Sequence, residues 1–203
     1  MKKVLSLIVA IAIILSLFVG CNANEVNPSV AETPQPSETE NIPQQSEKKI
    51  LVAYFSKTGT TESVALEISE ALGADTFEIA RKEPYPSGYS ETTAVARQEK
   101  ADGARPELNE YLSKAAVEMY DVIFIGFPIW YGTTPMPVLT FLESYDLSSK
   151  TIYTFCTSGG SGIAGSTADI TSSAKNAKVI EGKRFSSNGS EVSEWITSLG
   201  LSK

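Results

Sequence analysis

Histidine is absent from this 203-residue sequence, and only two cysteines are present. Without an imidazole there is no Ser-His-Asp triad, no histidine general base and no histidine-ligated metal. Cys21 and Cys156 alone cannot form the disulfide framework of a small secreted domain. Positive charge is also scarce, because 17 Lys and Arg residues stand against 24 Asp and Glu residues, a formal net charge of −7. Nucleic-acid binding requires a basic surface, so no nucleic-acid partner is expected.

The N-terminus has the pattern of an export signal. Two lysines precede an apolar segment, residues 4–19, which is short for a membrane-spanning helix but typical of a signal peptide. The segment ends in Leu17-Phe18-Val19-Gly20-Cys21, which resembles a bacterial lipobox, although Phe18 stands where leucine is usual. We interpret residues 1–21 as a lipoprotein signal peptide that ends at a lipidated Cys21. The alternative is an uncleaved anchor in which Cys21 has no role, and both interpretations place the rest of the chain outside the cytoplasm.

Residues 22–47 have the composition of a disordered tether. Four prolines and five glutamates alternate with small polar residues, and neither Lys nor Arg occurs. A segment with so little to bury cannot offset the entropy of ordering its backbone. We therefore expect it to hold the folded part, residues 48–203, close to the outer surface of the cell membrane.

From residue 48 onward, apolar segments alternate with amphipathic ones. Three segments are apolar enough to be strands buried on both faces, namely 50–55, 122–127 and 151–156. Weaker strand candidates are 75–79 and 178–180. Helices are predicted over 64–72, where Gly73 suits the C-terminal cap, and over 108–120, 137–145 and 192–199. This alternation predicts an α/β fold, a doubly wound five-stranded parallel sheet with helices on both faces.

Loops that follow the three strong strands are the candidate site, because ligands of parallel sheets bind beyond the carboxyl ends of the strands. The first loop joins a buried strand to the start of a helix. Its hydroxyl groups and the free N–H groups of the helix N-terminus can bind an anion. A turn that merely caps the helix is the alternative. The candidate cofactor-binding residues of this loop are Ser56, Lys57, Thr58, Gly59, Thr60 and Thr61.

The second and third loops offer an aromatic surface and a glycine-rich backbone. Pro128-Ile129-Trp130-Tyr131-Gly132 places two aromatic rings beyond the sheet, where a flat ligand can stack or where they plug the end of the core. Gly132 can take the positive φ that a tight turn requires. Thr157-Ser158-Gly159-Gly160 lets a ligand approach the backbone closely, although glycine-rich segments are also plain turns.

Together these loops resemble those of the flavodoxins. The closest segments are 53–59, 126–132 and 155–162, and residues 48 to about 199 are similar to a bacterial single-domain flavodoxin. The resemblance implies a monomer that binds FMN and exchanges electrons with a redox partner protein or a quinone-like acceptor. It implies that the first loop holds the phosphate, the second lines one side of the isoalloxazine and the third contacts its polar edge. Many flavodoxins cover the outer side of the flavin with a tyrosine of the third loop, which this sequence lacks.

Three functions are compatible with these residues: an electron carrier, an FMN-dependent reductase of quinones or similar acceptors, and a flavin-free binding module. Intact loops argue against the third. NAD(P)H is scarce outside the cell membrane, which favours a carrier over a reductase. No G-x-G-x-x-G follows the first strand, so FAD is not expected. Neither a catalytic residue nor a metal site is predicted, and Cys156 is interpreted as an inert core thiol.

Overall fold

A computed structural model describes residues 48–186 and 191–201. These residues belong to one compact unit, Gln45–Lys203. The predicted signal peptide, the predicted tether and Cys21 lie outside the described residues. Within the described part of the chain, no helix is both long enough and apolar enough to cross a membrane.

Five parallel strands form one sheet. They are β1 (Ile50–Tyr54), β2 (Asp75–Glu78), β3 (Val122–Pro128), β4 (Thr151–Thr157) and β5 (Lys178–Phe185). The order across the sheet is β2-β1-β3-β4-β5, with parallel pairing throughout. The three central strands are mostly buried, whereas the edge strands β2 and β5 are largely accessible, which explains their weaker apolar pattern. The predicted doubly wound, five-stranded parallel sheet is confirmed.

The described part of the chain contains six helices, of which five lie between strands and the last follows β5. They are α1 (Thr60–Leu72), α2 (Tyr89–Asp102), α3 (Lys114–Glu118), α4 (Met136–Glu143), α5 (Ala164–Ser173) and α6 (Val192–Ser198). Successive residues of a strand point to opposite faces, so β1 contributes to two separate cores. Val52 and Tyr54 pack with α1 and α6, while Leu51 and Ala53 pack on the side of α2, α4 and α5. Gly73 closes α1 in a left-handed conformation with φ 61°, as its position predicted.

The prediction of a helix over 108–120 was wrong. Only the short α3 forms there, because Leu108 is buried and pairs with Arg81 in an antiparallel bridge. The long helix of this region is α2, whose buried residues are Thr92, Ala96 and Glu99. A helix with such a polar buried face shows no apolar stripe in its sequence. For the same reason α5 was not predicted from the sequence, since two of its three buried residues are serines.

Candidate functional site

A cleft of about 700 Å³ opens where the loops after β1, β3 and β4 meet, beyond the carboxyl ends of these strands. Twelve of the fifteen predicted cofactor-binding residues line it: Ser56, Lys57, Thr58, Thr60, Thr61, Pro128, Ile129, Trp130, Tyr131, Thr157, Ser158 and Gly159. The other three, Gly59, Gly132 and Gly160, lie in the same loops. The structure thus gathers at one place residues that lie as far apart in the sequence as Ser56 and Gly159.

The first loop presents the start of α1 to the cleft. Gly59 has φ 86°, and its N–H donates to Ser56 Oγ at 3.1 Å, which turns the chain from the strand into the helix. No side chain caps the N-terminus of α1. The first N–H groups of the helix are therefore available to an anion, next to the hydroxyl groups of Thr58 and Thr60, which lie 3.5 Å apart.

Thr61 has a different environment from Thr58 and Thr60. Its Oγ1 lies 2.7 Å from Oγ1 of Thr157, and both side chains are buried. The hydrogen bond joins the loop after β1 to the loop after β4. We infer that Thr61 mainly fixes the distance between two walls of the cleft.

Hydrogen bonds to β5 and within the loop itself fix the loop after β4. Ser158 N–H donates to the carbonyl of Phe185 at 3.0 Å, and Ser158 Oγ donates to the carbonyl of Ser161 at 2.8 Å. Arg184 Nη1 donates to the carbonyl of Ser158 at 2.9 Å. Gly160 N–H donates to Ser158 Oγ at 3.1 Å, so this glycine serves the turn within the loop. Thr157, Ser158 and Gly159 line the cleft.

The aromatic loop after β3 makes a two-residue turn from Trp130 to Thr133. Trp130 N–H donates to the Thr133 carbonyl at 3.2 Å, and Thr133 N–H donates to the Trp130 carbonyl at 3.0 Å. Gly132 has φ 73°, as expected, but Tyr131 also has a positive φ of 50°. Positive φ at both central residues is the signature of a type I′ turn, and it is costly for a bulky side chain such as tyrosine.

Helices on two sides hold this turn in place. Thr133 Oγ1 donates to the carboxylate of Asp169 in α5. On the other side, Tyr131 OH donates to the carbonyl of Thr93 at 2.9 Å, and Lys100 Nζ donates to the carbonyl of Tyr131 at 2.7 Å. Both of these partners belong to α2. The aromatic turn is therefore fixed relative to α2 and α5.

Trp130 rests against two aromatic rings at the base of the cleft. Its ring centroid lies 5.2 Å from that of Phe55 and 5.0 Å from that of Tyr85, edge to face in both cases. Such arrangements match the positive edge of one ring with the negative face of another. The orientation of Trp130 therefore depends on the position of Tyr85.

A buried polar cluster fixes Tyr85. Its hydroxyl donates to Glu99, and burial together with this carboxylate raises the pKa of Tyr85 far above its usual range, so that it remains a donor. Arg81 Nε lies 3.2 Å from Glu99 Oε1, an ion pair without good hydrogen-bond geometry. The Arg81 guanidinium also lies over the ring of Tyr85, 4.6 Å from its centroid.

Part of the cleft comes from segments that the sequence analysis did not assign. These lining residues are Ser87, Tyr89, Thr92, Thr93, Ala96 and Ser186. All but Ser186 follow β2, and Ser186 follows β5. The rule for parallel sheets could have identified these residues, because the carboxyl ends of β2 and β5 lie at the same edge of the sheet as those of the central strands. These residues were missed because only the loops after the three strongly apolar strands were assigned to the site, and because α2 has little apolar periodicity.

The cleft supplies hydroxyl groups, main-chain N–H groups and aromatic rings, with Lys57 as its one charged residue among those described. Among the described residues, no three His, Cys, Asp or Glu side chains are grouped to hold a metal ion. Cys156 is fully buried, and burial raises the pKa of its thiol to about 12, as expected of an inert core residue. These groups suit a ligand that combines an anionic end with a flat ring.

Comparisons with known proteins identify relatives that bind such a ligand or are described as flavoproteins. Residues 49–199 match the family model described as flavodoxin. Proteins described as flavoproteins from Bacteroides eggerthii and Bacteroides uniformis are each 33% identical to the chain with TM-scores of 0.67; they cover 75% and 74% of this chain and 98% of their own. A flavoprotein from Lactobacillus acidophilus, solved in complex with FMN, is 25% identical with a TM-score of 0.59, over 73% of this chain and 98% of its own. No functionally curated protein matches the chain.

Proposed function

This chain belongs to the flavodoxin family, and from that premise we propose that it binds FMN and transfers electrons at the outer face of the cell membrane. The observation that carries the proposal is the convergence of a free helix N-terminus, an aromatic turn and a glycine-rich loop on one cleft. The FMN complex of the Lactobacillus acidophilus protein supports the identity of the ligand. When bound, FMN would supply the redox chemistry.

The end of the cleft at α1 fits the phosphate. Its free N–H groups and the partial positive charge of the helix N-terminus favour an anion. The hydroxyl groups of Thr58 and Thr60 add hydrogen-bond donors, and Lys57 adds a full positive charge. These residues would hold the phosphate and so orient the rest of the cofactor.

The other end of the cleft fits the isoalloxazine. Trp130 and Tyr131 offer an aromatic surface that hydrogen bonds and ring contacts hold in place. Ser158 and Gly159 bring backbone and hydroxyl groups to the polar edge of the ring. A volume of about 700 Å³ also lies in the usual range for a small-molecule site, about 300–1,000 Å³.

An electron carrier is the activity that we favour. Its support is the proposed location outside the cytoplasm, because NAD(P)H, the electron donor that a soluble reductase would need, is scarce there. The second candidate is an FMN-dependent reductase of quinones or similar acceptors. The observation that favours it is the loop after β4, which has no aromatic side chain to keep a small acceptor from the ring.

Attachment to the membrane is the second part of the proposal. Residues 1–21 have the pattern of a lipoprotein signal, and residues 22–47 have the composition of a tether. Replacing Cys21→Ser should block acyl labelling and signal cleavage in the expressing bacterium. Equal labelling of the variant and the wild type would exclude lipidation at Cys21.

The decisive experiment is purification of the full chain in mild detergent, followed by its visible spectrum and identification of the released flavin. We expect a yellow protein with about one FMN per chain and no FAD. A colourless protein that takes up no added FMN would refute the proposal. For the loaded protein, fast oxidation of NADPH in the presence of a quinone would favour the reductase, whereas slow turnover with rapid electron exchange would favour the carrier.

A further inference from the structure

Tyr89 is the most exposed of the large apolar side chains in the described part of the chain. It is 85% exposed, against 46% for Tyr131 and 48% for Tyr111. Tyr89 also lines the cleft, which Tyr111 does not. An aromatic ring left in water gives up the favourable free energy of burying its surface, so a ring held at the mouth of a cleft calls for an explanation.

The backbone under Tyr89 is well fixed. Tyr89 is the first residue of α2, and Thr92 ties this helix start to the preceding loop. Thr92 N–H donates to the carbonyl of Gly88 at 3.0 Å, and Thr92 Oγ1 donates to the carbonyl of Pro86 at 2.6 Å. The exposure of Tyr89 is therefore a consequence of where α2 begins and not of a loose segment.

Its position relative to the aromatic turn is also defined. Thr93, which accepts the hydrogen bond of the Tyr131 hydroxyl, lies four residues after Tyr89 in α2. Residues four apart lie on the same face of a helix, about one turn from each other. Tyr89 therefore stands one turn from the point where α2 contacts Tyr131. The cleft has one aromatic wall that is fixed by hydrogen bonds and packing and one ring that is still free to pack.

We propose that Tyr89 is a further aromatic contact of the FMN site and packs against the bound isoalloxazine at the mouth of the cleft, beside Tyr131. This inference rests on the proposed binding of FMN. The loop after β4 contributes only Thr157, Ser158 and Gly159 to the cleft and has no ring to offer. Stacking buries the exposed surface of Tyr89, and it shields the flavin from water and from bulky acceptors.

Binding measurements on the full chain test this role. Tyr89→Ala should weaken FMN binding by about ten- to thirtyfold, since an aromatic pair contributes area burial and a further stacking contribution. Tyr89→Phe keeps the ring and should stay within about threefold of the wild type. Tyr111→Ala is the matched control, because it removes a tyrosine outside the cleft and should leave FMN affinity unchanged. Iodide should quench the fluorescence of bound flavin more strongly in Tyr89→Ala than in the wild type.

Riboflavin separates stacking from a contact with the phosphate. If Tyr89 covers the ring, Tyr89→Ala should weaken riboflavin and FMN by the same factor. A loss confined to FMN would mean that the tyrosine hydroxyl contacts the phosphate, and it would overturn the proposal. Unchanged affinity for both ligands, with unchanged iodide quenching, would also overturn it while leaving FMN binding itself intact. A wild-type chain that binds no flavin would instead refute the proposed function.

Discussion

The hydroxyl oxygens of Thr61 and Thr157 lie 2.7 Å apart, although the two residues are 96 positions apart in the sequence. Thr61 belongs to the first turn of α1, and Thr157 is the last residue of β4. Both side chains are buried, so water does not compete for this hydrogen bond. The bond holds the phosphate-binding loop of the proposed site against the glycine-rich loop.

Thr61→Val tests whether this bond stabilises the fold. Valine keeps the shape but leaves the buried hydroxyl of Thr157 without a partner, so the free energy of unfolding should fall by about 1–3 kcal/mol. Urea denaturation of the flavin-free full chain measures it. In the double variant with Thr157→Val, the loss should be smaller than the sum of the two single losses. Strictly additive losses would show that the two hydroxyl groups do not interact.

Thr58→Val with Thr60→Val tests the proposed phosphate site. Hydrogen bonds to a charged group contribute about 1.5–3 kcal/mol each, so FMN binding should weaken at least about tenfold. Riboflavin has no phosphate, and its affinity should barely change. The stability of the flavin-free chain should also stay close to wild type, unlike that of Thr61→Val, because these hydroxyl groups lie at the surface. Equal losses for both ligands would show that the loop does not hold phosphate.

Much of this site followed from the sequence, because two simple patterns are strong in it. The central strands are buried on both faces and therefore appear as continuous apolar segments. Once they are placed, the rule for parallel sheets assigns the loops that follow them to one edge. The aromatic and hydroxyl residues of those loops then suggest a phosphate and a flat ring.

What the sequence did not reveal depends on tertiary contacts. The helix α2 buries a threonine, an alanine and a glutamate, so its apolar periodicity is weak and its contribution to the cleft was missed. The positive φ of Tyr131 was not expected either, because distant residues hold the turn that contains it. Lys100 Nζ donates to the Tyr131 carbonyl, and Thr133 Oγ1 donates to the carboxylate of Asp169. Local propensity cannot anticipate a conformation that distant residues impose.

Tyr85→Phe tests the cluster beneath Trp130. The variant keeps the ring that contacts Trp130 but removes the hydroxyl that donates to buried Glu99. We expect the free energy of unfolding to fall by about 1–3 kcal/mol with little change in FMN affinity. Tyr85→Leu removes the ring as well and should reduce both quantities. As a control, Tyr145→Phe removes a hydrogen bond to the carbonyl of Leu112 and should cost less.

A pH dependence follows from Arg105 and Glu143, which form two hydrogen bonds of 2.8 Å each. The hydrogen bonds from Arg105 lower the pKa of Glu143 below its usual value. A carboxyl group whose pKa is lower in the folded state contributes stability above its unfolded pKa, about 4.3, and that stability is lost as the pH falls through the folded pKa. Glu143→Gln should therefore destabilise the protein at pH 7 and have a smaller effect near pH 3.

The size of that effect is limited by exposure, because both side chains are 37% exposed. We expect a difference below about 1 kcal/mol, measured by urea denaturation at several pH values. Glu107→Gln is a suitable control, since Glu107 forms an ion pair with Lys82 in which the side chains are 64% and 60% exposed. Its effect should not be measurable. A Glu143→Gln effect that is the same at pH 3 and pH 7 would contradict the proposed contribution of the ion pair.

Gly132 and Gly159 allow backbone conformation to be separated from crowding. A Cβ atom added at either position would meet no other atom within 4 Å. Only Gly132 has a positive φ, 73°, since it is the second central residue of the type I′ turn.

Gly132→Ala should therefore reduce the free energy of unfolding by about 1 kcal/mol, because alanine is strained in this region. Gly159→Ala should leave it unchanged or raise it by up to about 1 kcal/mol, because alanine reduces the entropy of the unfolded chain. The expected result in urea denaturation of the flavin-free chain is a loss for Gly132→Ala without a loss for Gly159→Ala. Equal losses at both positions would show that backbone strain is not the cause.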